Sequence, residues 1–128
     1  MTTAEHAHTV LVVEDDPGVL DGLVYYLQSR GLEAVAALGG DPALRYLRGG
    51  LRPCVIVTDV VMPEIDGWEL LAAVRAHPML SAVPIVMCSG HPEHVSRALQ
   101  AGARAYLPKP VDPVHVADAI RRYCRAGS

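Results

Sequence analysis

Short apolar runs alternate along the chain with longer stretches in which apolar positions recur at helical spacing. The apolar runs predict five β-strands, at 9–13, 32–37, 54–58, 84–88 and 105–107. The first, third and fourth are almost continuously apolar, as strands buried on both faces of a sheet are. Because strands and helices alternate from end to end, we expect one α/β domain with a parallel sheet at 9–125. A disordered tail would precede it at 1–8, and a tail or truncation point would follow at 126–128.

Three of the predicted helices begin with the same dipeptide, an Asp followed directly by a Pro. The three aspartates are Asp16, Asp41 and Asp112. Asp accepts hydrogen bonds from the free amides of a first turn, and the backbone φ of Pro suits that turn, so we expect all three to cap helices. The helix that is third in chain order has no such dipeptide and is predicted after Gly67. A fourth is predicted from about 93 to 101, with an apolar face that includes Leu99.

Composition and charge narrow the class of protein. The 128 residues are 51% hydrophobic and 20% charged, which suits a domain that folds alone. A formal net charge of −3 argues against direct nucleic acid binding, which needs clustered Lys and Arg. No apolar run approaches the ~20 residues that cross a bilayer, and no signal-peptide pattern is present. We expect a cytoplasmic protein without membrane or nucleic acid contacts.

The cysteines are an odd set, Cys54, Cys88 and Cys124, without a Cys-x-x-Cys spacing. Two of them lie in strongly apolar runs. We therefore interpret all three as small buried thiols in a reducing compartment, and expect neither a disulfide nor a zinc site.

Polar residues gather where the predicted strands end. They are Glu14, Asp15 and Asp16 after the first strand, Asp59 after the third, Ser89 after the fourth and Lys109 after the fifth. Ligands of open parallel sheets bind at this edge. If the first and third strands are neighbours, Asp59 meets one or two of Glu14, Asp15 and Asp16, and carboxylates that close require a cation. Oxygen ligands with room for water favour Mg²⁺.

Three side chains at this edge suggest chemistry on a phosphoryl group. Asp59 follows a buried apolar strand that gives no structural reason for a carboxylate, so we interpret it as a nucleophile. Lys109 is the sole Lys among 11 basic residues, and a compact ammonium suits a phosphate oxygen. Beside them, Ser89 becomes a hydroxyl donor to an oxyanion. Asp16 is interpreted as a helix cap only.

Four segments together resemble the receiver domain of two-component response regulators, over about Thr9 to Arg125. They are VVEDDP at 12–17, DVVMPEIDG at 59–67, SG at 89–90 and YLPKP at 106–110. The resemblance implies a flavodoxin-like, doubly wound fold with a five-stranded parallel sheet of order 2-1-3-4-5 and five helices. It also implies that Asp59 accepts a phosphoryl group from a sensor histidine kinase or a histidine phosphotransfer protein.

The resemblance further implies roles for the neighbouring residues. Mg²⁺ would be bound by Asp15, Asp59 and the backbone carbonyl of Val61, with Glu14 acting through a water molecule. Lys109 would pair with one phosphoryl oxygen and Ser89 with another, and the Lys109–Pro110 peptide would be cis. Tyr106 would be the aromatic switch residue that, with Ser89, alters the surface of the fourth helix, fifth strand and fifth helix.

One spacing departs from the family pattern. Lys109 follows Ser89 by 109 − 89 = 20 residues, about two fewer than the resemblance leads us to expect. The set of site residues is complete, and the departure bears on the conformational switch on this side. His91 and His94 lie within this segment, and we interpret both as solvated loop imidazoles.

The expected function is partner-directed signalling without turnover of an external substrate. The sequence does not identify the output partner. It is compatible with a homodimer that forms on phosphorylation. It is also compatible with a stand-alone protein and with one domain of a longer regulator or hybrid kinase. A pseudo-receiver that works without phosphorylation is the main alternative. A flavin carrier of this topology would need a hydroxyl-rich first loop, which is acidic here. An aspartyl phosphatase would place a second Asp at Val61.

Overall fold

A computed structural model describes residues 9–124 and has five parallel strands in the order β2-β1-β3-β4-β5. The strands are β1 (Thr9–Glu14), β2 (Glu33–Leu38), β3 (Val55–Asp59), β4 (Ile85–Ser89) and β5 (Ala105–Pro108). The helices are α1 (Pro17–Ser29), α2 (Gly40–Arg48), α3 (Gly67–Ala76), α4 (His94–Gln100) and α5 (Pro113–Tyr123). The predicted doubly wound α/β fold and sheet order are confirmed. The predicted tails at 1–8 and 126–128 lie outside the described residues.

The sheet separates two hydrophobic cores. Alternate residues of β1 point to opposite faces, so that Val10 and Val12 join one core and Leu11 and Val13 the other. The first core is completed by apolar residues of α1 and α5, and the second by residues of α2, α3 and α4. Burial on both faces explains why the central strands are apolar throughout.

The predicted Asp caps are correct for two helices and wrong for one. Asp16 accepts hydrogen bonds from the first amides of α1, and Asp112 does so for α5. Asp41, in contrast, lies inside the first turn of α2 and pairs with Arg45 at 3.5 Å. The helix begins earlier because Gly39, at φ 102°, makes the turn that precedes it.

All five strands end one residue later than predicted, and in β1, β3 and β4 the extra residues are Glu14, Asp59 and Ser89. The backbones of these polar residues are therefore paired within the sheet rather than placed in loops. The helix after β4 is shorter than predicted. Only seven residues long, α4 buries Ala98 but leaves Leu99 half exposed, so the expected apolar face is wrong for Leu99.

The expectation of three free thiols is wrong for two cysteines. Cys54 and Cys124 form a disulfide between the segment before β3 and the end of α5, with Cα atoms 5.1 Å apart. They are separated by 70 residues, and only the return of α5 to the start of β3 brings them together. Cys88 is a free, buried thiol on β4, and burial raises its pKa to about 12. Within residues 9–124, no helix combines the length and apolarity needed to cross a membrane.

Candidate functional site

Three carboxylates meet at the carboxyl edge of the sheet. Glu14, Asp15 and Asp59 each offer an oxygen atom, and these atoms lie within 4.8 Å of one another. The adjacency of β1 and β3 produces this cluster, because Val13 is in register with Thr58 and the acidic residues follow. Glu14 and Asp59 are each only 4% exposed, whereas Asp15 faces solvent.

A lysine ammonium lies against two of these carboxylates. Lys109 Nζ is 2.8 Å from Asp59 Oδ2 and 3.2 Å from Glu14 Oε1. Its backbone is fixed beside β4, where its amide donates to the Ser89 carbonyl at 2.9 Å, and the Lys109–Pro110 peptide bond is cis. The long side chain thereby spans from the edge strand β5 to the acidic residue at the end of β3.

The charges of this cluster shift the pKa values of its members in opposite directions. Burial, with a further contribution from Glu14, raises the pKa of Asp59 to about 7, although Lys109 opposes the shift. Burial would raise the pKa of Glu14 too, but hydrogen bonds with Asp59, the Asp16 amide and Lys109 lower it. Burial would lower the pKa of Lys109, but the two carboxylates raise it. Of these two buried carboxyl groups, Asp59 is thus the one whose ionised form is disfavoured.

The donor atoms of the cluster fit a hard divalent cation. All are oxygens, and the exposed carboxylate of Asp15 leaves room for water, as Mg²⁺ requires. The carboxylates outnumber the one ammonium beside them, so a cation would relieve their repulsion.

The loop after β3 brings α3 close to the acidic cluster. The amide of Gly67 donates to the Val60 carbonyl at 2.7 Å, and a Cβ on Gly67 would lie only 2.8 Å from the Val60 Cα. Asp66 caps α3 through a capping box with Glu69. Val61, two residues after Asp59, has an exposed side chain.

Ser89 and Tyr106 are joined at the end of β4. The Tyr106 hydroxyl lies within hydrogen-bond distance of the Ser89 carbonyl, at 3.0 Å, and of the His91 carbonyl, at 2.8 Å. The tyrosine ring packs against the core on the α3 and α4 side of the sheet. Tyr106 is therefore already tied to the loop between β4 and α4 in this structure.

The interpretation of His94 as a solvated imidazole is wrong. Its Nδ1 is 2.8 Å from Ser89 Oγ, and its ring packs edge-on against Trp68 with centroids 5.5 Å apart. His91, in contrast, is exposed and pairs with Glu93 at 3.5 Å. The position of His94 five residues after Ser89 carried no recognisable motif, because the contact depends on how α4 begins.

Comparison with known proteins identifies the family. The sequence model described as "Response regulator receiver domain" matches residues 10–121. Transcriptional regulatory protein CreB of Escherichia coli is 37% identical over 120 residues, which make up 91% of this chain and 51% of that protein. The chain thus spans about half the length of this relative.

Solved structures agree with the sequence comparison. The signal receiver domain of a signal transduction histidine kinase from Syntrophus aciditrophicus superposes with a TM-score of 0.84 at 31% identity, over 95% of this chain and 93% of that one. Chemotaxis protein CheY4 of Vibrio cholerae gives 0.82 at 31% identity, over 90% and 97%. The fold and the acidic edge define a signalling receiver. The chain belongs to the response regulator receiver domain family of two-component systems.

Proposed function

We propose that this chain is a receiver switched by phosphorylation of Asp59, with a phosphohistidine of a sensor histidine kinase or a histidine phosphotransfer protein as donor. The observation that carries the proposal is the environment of Asp59. Its carboxylate ends a buried strand, pairs with Lys109 at 2.8 Å and lies within metal-sharing distance of Glu14 and Asp15. A purely structural ion pair would not require the two additional acids.

The transfer forms one bond and breaks another. An Asp59 carboxylate oxygen attacks the phosphorus atom, the P–N bond to the donor imidazole breaks, and its electron pair returns to the imidazole nitrogen. Negative charge spreads over the equatorial oxygens, where Lys109 supplies an opposite charge. Asp15, Asp59 and the Val61 carbonyl would hold Mg²⁺, with Glu14 acting through water. The ion supplies further charge neutralisation when bound.

The signal would be read as a change of surface. A phosphoryl group adds about −1.5 to −2 charges and strong acceptor oxygens. The Ser89 hydroxyl then donates a hydrogen bond to a phosphoryl oxygen. Tyr106, whose hydroxyl is already hydrogen-bonded to the Ser89 carbonyl, transmits the change to the surface of α4, β5 and α5. That surface binds the output protein or effector domain, or a second copy of the chain. The receiver acts in the cytoplasm and turns over no external substrate.

Intact-mass spectrometry after incubation with acetyl phosphate and Mg²⁺ tests the proposal. We expect a gain of one phosphoryl group that is absent with EDTA and in Asp59→Asn. Asp66→Asn is the matched control, because Asn also caps helices and the same charge is removed near the site. This control should be phosphorylated like the wild type.

Failure of the wild type to gain mass, from acetyl phosphate and from phosphohistidine donors alike, would contradict the proposal. The chain would then act as a pseudo-receiver that binds partners without phosphorylation. Steady hydrolysis of an external phosphate ester would instead indicate a phosphatase.

A further inference from the structure

The hydroxyl group of Ser89 has two local hydrogen-bond partners. Its Oγ accepts the main-chain amide of His91 at 3.0 Å and lies 2.8 Å from Nδ1 of His94. A hydroxyl has one hydrogen and two lone pairs, so with the His94 proton on Nε2 it accepts from the His91 amide and donates to Nδ1 of His94. A group that needs this hydrogen therefore has to compete with His94 for it.

The ring of His94 is part of a longer chain of contacts. It meets Trp68 of α3 edge-on, with an interplanar angle of 86°, and the guanidinium of Arg97 covers the Trp68 ring at 4.0 Å from its centroid. Ser89, His94, Trp68 and Arg97 thus connect the end of β4 to the outer surface of α3 and α4. We call these four residues the Ser89–Arg97 relay.

We propose that His94 is a positioning residue that holds the Ser89 hydroxyl away from the phosphorylation site and reports its release to Trp68. The inference rests on the proposed function, since the competing acceptor is a phosphoryl oxygen on Asp59. Before phosphorylation the hydroxyl donates to His94. After it, the hydroxyl donates to the phosphoryl group, and the imidazole, freed of its partner, changes its packing against Trp68.

The expected effect follows from the hydrogen bond that must be exchanged. One such bond has a net value of about 0.5–1.5 kcal/mol, which corresponds to a rate change of roughly 2- to 10-fold. Removing the acceptor on His94 should accelerate phosphorylation by that factor, because Ser89 no longer has to leave a partner.

Three substitutions separate the hydrogen bond from ring packing. His94→Phe keeps a ring against Trp68 but has no acceptor. His94→Asn restores an acceptor, because its Oδ1 can take the place of Nδ1. His115→Phe makes the same chemical change at an exposed position of α5 and serves as the control.

Each variant is phosphorylated with acetyl phosphate and Mg²⁺ while intact mass gives the rate and tryptophan emission is recorded. Trp68 is the sole tryptophan, so the tryptophan emission comes from this member of the relay. We expect the wild type to change its emission on phosphorylation. His94→Phe should react roughly 2- to 10-fold faster and show a smaller emission change than the wild type. His94→Asn should return the rate to the wild-type value.

Two results would overturn the inference. The first is a His94→Phe rate equal to that of the wild type and His115→Phe; the second is an undiminished emission change in His94→Phe. Either would leave the proposed function intact, provided that the wild type gains a phosphoryl group on Asp59. A wild type that gains none would overturn the proposed function itself. Thermal melting of all variants verifies that they are folded.

Discussion

Lys109 and Asp59, fifty residues apart in the sequence, are joined by an ion pair of 2.8 Å at the carboxyl edge of the sheet. The same ammonium lies 3.2 Å from Glu14. Lys109 therefore holds together two carboxylates that would otherwise repel each other in a buried setting. The stability of the metal-free protein depends on this balance of charge.

Replacing Lys109 should destabilise the metal-free protein. We expect Lys109→Met to lower the free energy of unfolding by about 1–2 kcal/mol at pH 8, a value reduced for the one-third exposure of the Lys109 side chain. The loss should be smaller in an Asp59→Asn background, where one of the repelling charges is gone. Urea unfolding in EDTA measures this double-mutant cycle. Equal losses in both backgrounds would mean that the ion pair contributes nothing specific.

The raised pKa of Asp59 should appear as a pH dependence of stability. The folded protein holds a proton up to about pH 7, whereas the unfolded chain releases it near 3.8, so in metal-free buffer stability falls as pH rises through this interval. Asp59→Asn lacks this loss. We expect the variant to match the wild type near pH 4 and to exceed it at pH 8, with the difference in the free energy of unfolding growing as pH rises from about 4 to about 7. Parallel pH profiles would contradict the raised pKa.

Magnesium should stabilise the wild type by binding only the folded cluster. Millimolar Mg²⁺ should raise the melting temperature at pH 8, and Asp15→Asn should reduce the increase. Asp16→Asn is the matched control: it removes a neighbouring charge, yet Asn preserves the cap of α1. If both variants respond equally, general screening rather than a defined site explains the effect.

Gly67 should tolerate no side chain. A Cβ there would lie 2.8 Å from the Val60 Cα, so Gly67→Ala must push α3 away from the end of β3. We expect a loss of roughly 1–3 kcal/mol in the free energy of unfolding. Gly22→Ala in α1 is the matched control, since a Cβ there meets nothing within 4 Å and Ala favours helix. Chemical denaturation compares the two variants, and equal effects would contradict the close packing.

The disulfide should contribute measurably to stability. Because Cys54 and Cys124 close a loop across 70 residues, reduction should lower the free energy of unfolding by about 2–4 kcal/mol. The Cys54→Ser/Cys124→Ser double variant should be equally destabilised and insensitive to reductant. Alkylation of the unfolded, unreduced protein should modify Cys88 alone. Modification of all 3 cysteines without reductant would show that the bridge is absent.

The sequence was most informative where physical requirements are local. Continuous apolar runs indicated strands buried on both faces, and the Asp-Pro pairs at Asp16 and Asp112 indicated helix starts, because capping involves residues two or three apart. The same pair failed at Asp41, where Gly39 and the packing of Gly40 against Ile65 determined the start of α2.

Alternation of buried strands and amphipathic helices by itself indicated an α/β domain with a parallel sheet, and the resemblance to receiver domains implied its doubly wound strand order. The residues that end each strand indicated which edge carries chemistry. The tertiary structure alone decided which side chains touch. It joined Cys54 to Cys124 and His94 to Ser89, and it placed the Lys109 ammonium between Glu14 and Asp59. Hydrophobic patterning is a property of each segment, whereas a contact depends on the order of the strands and the angle at which a helix begins.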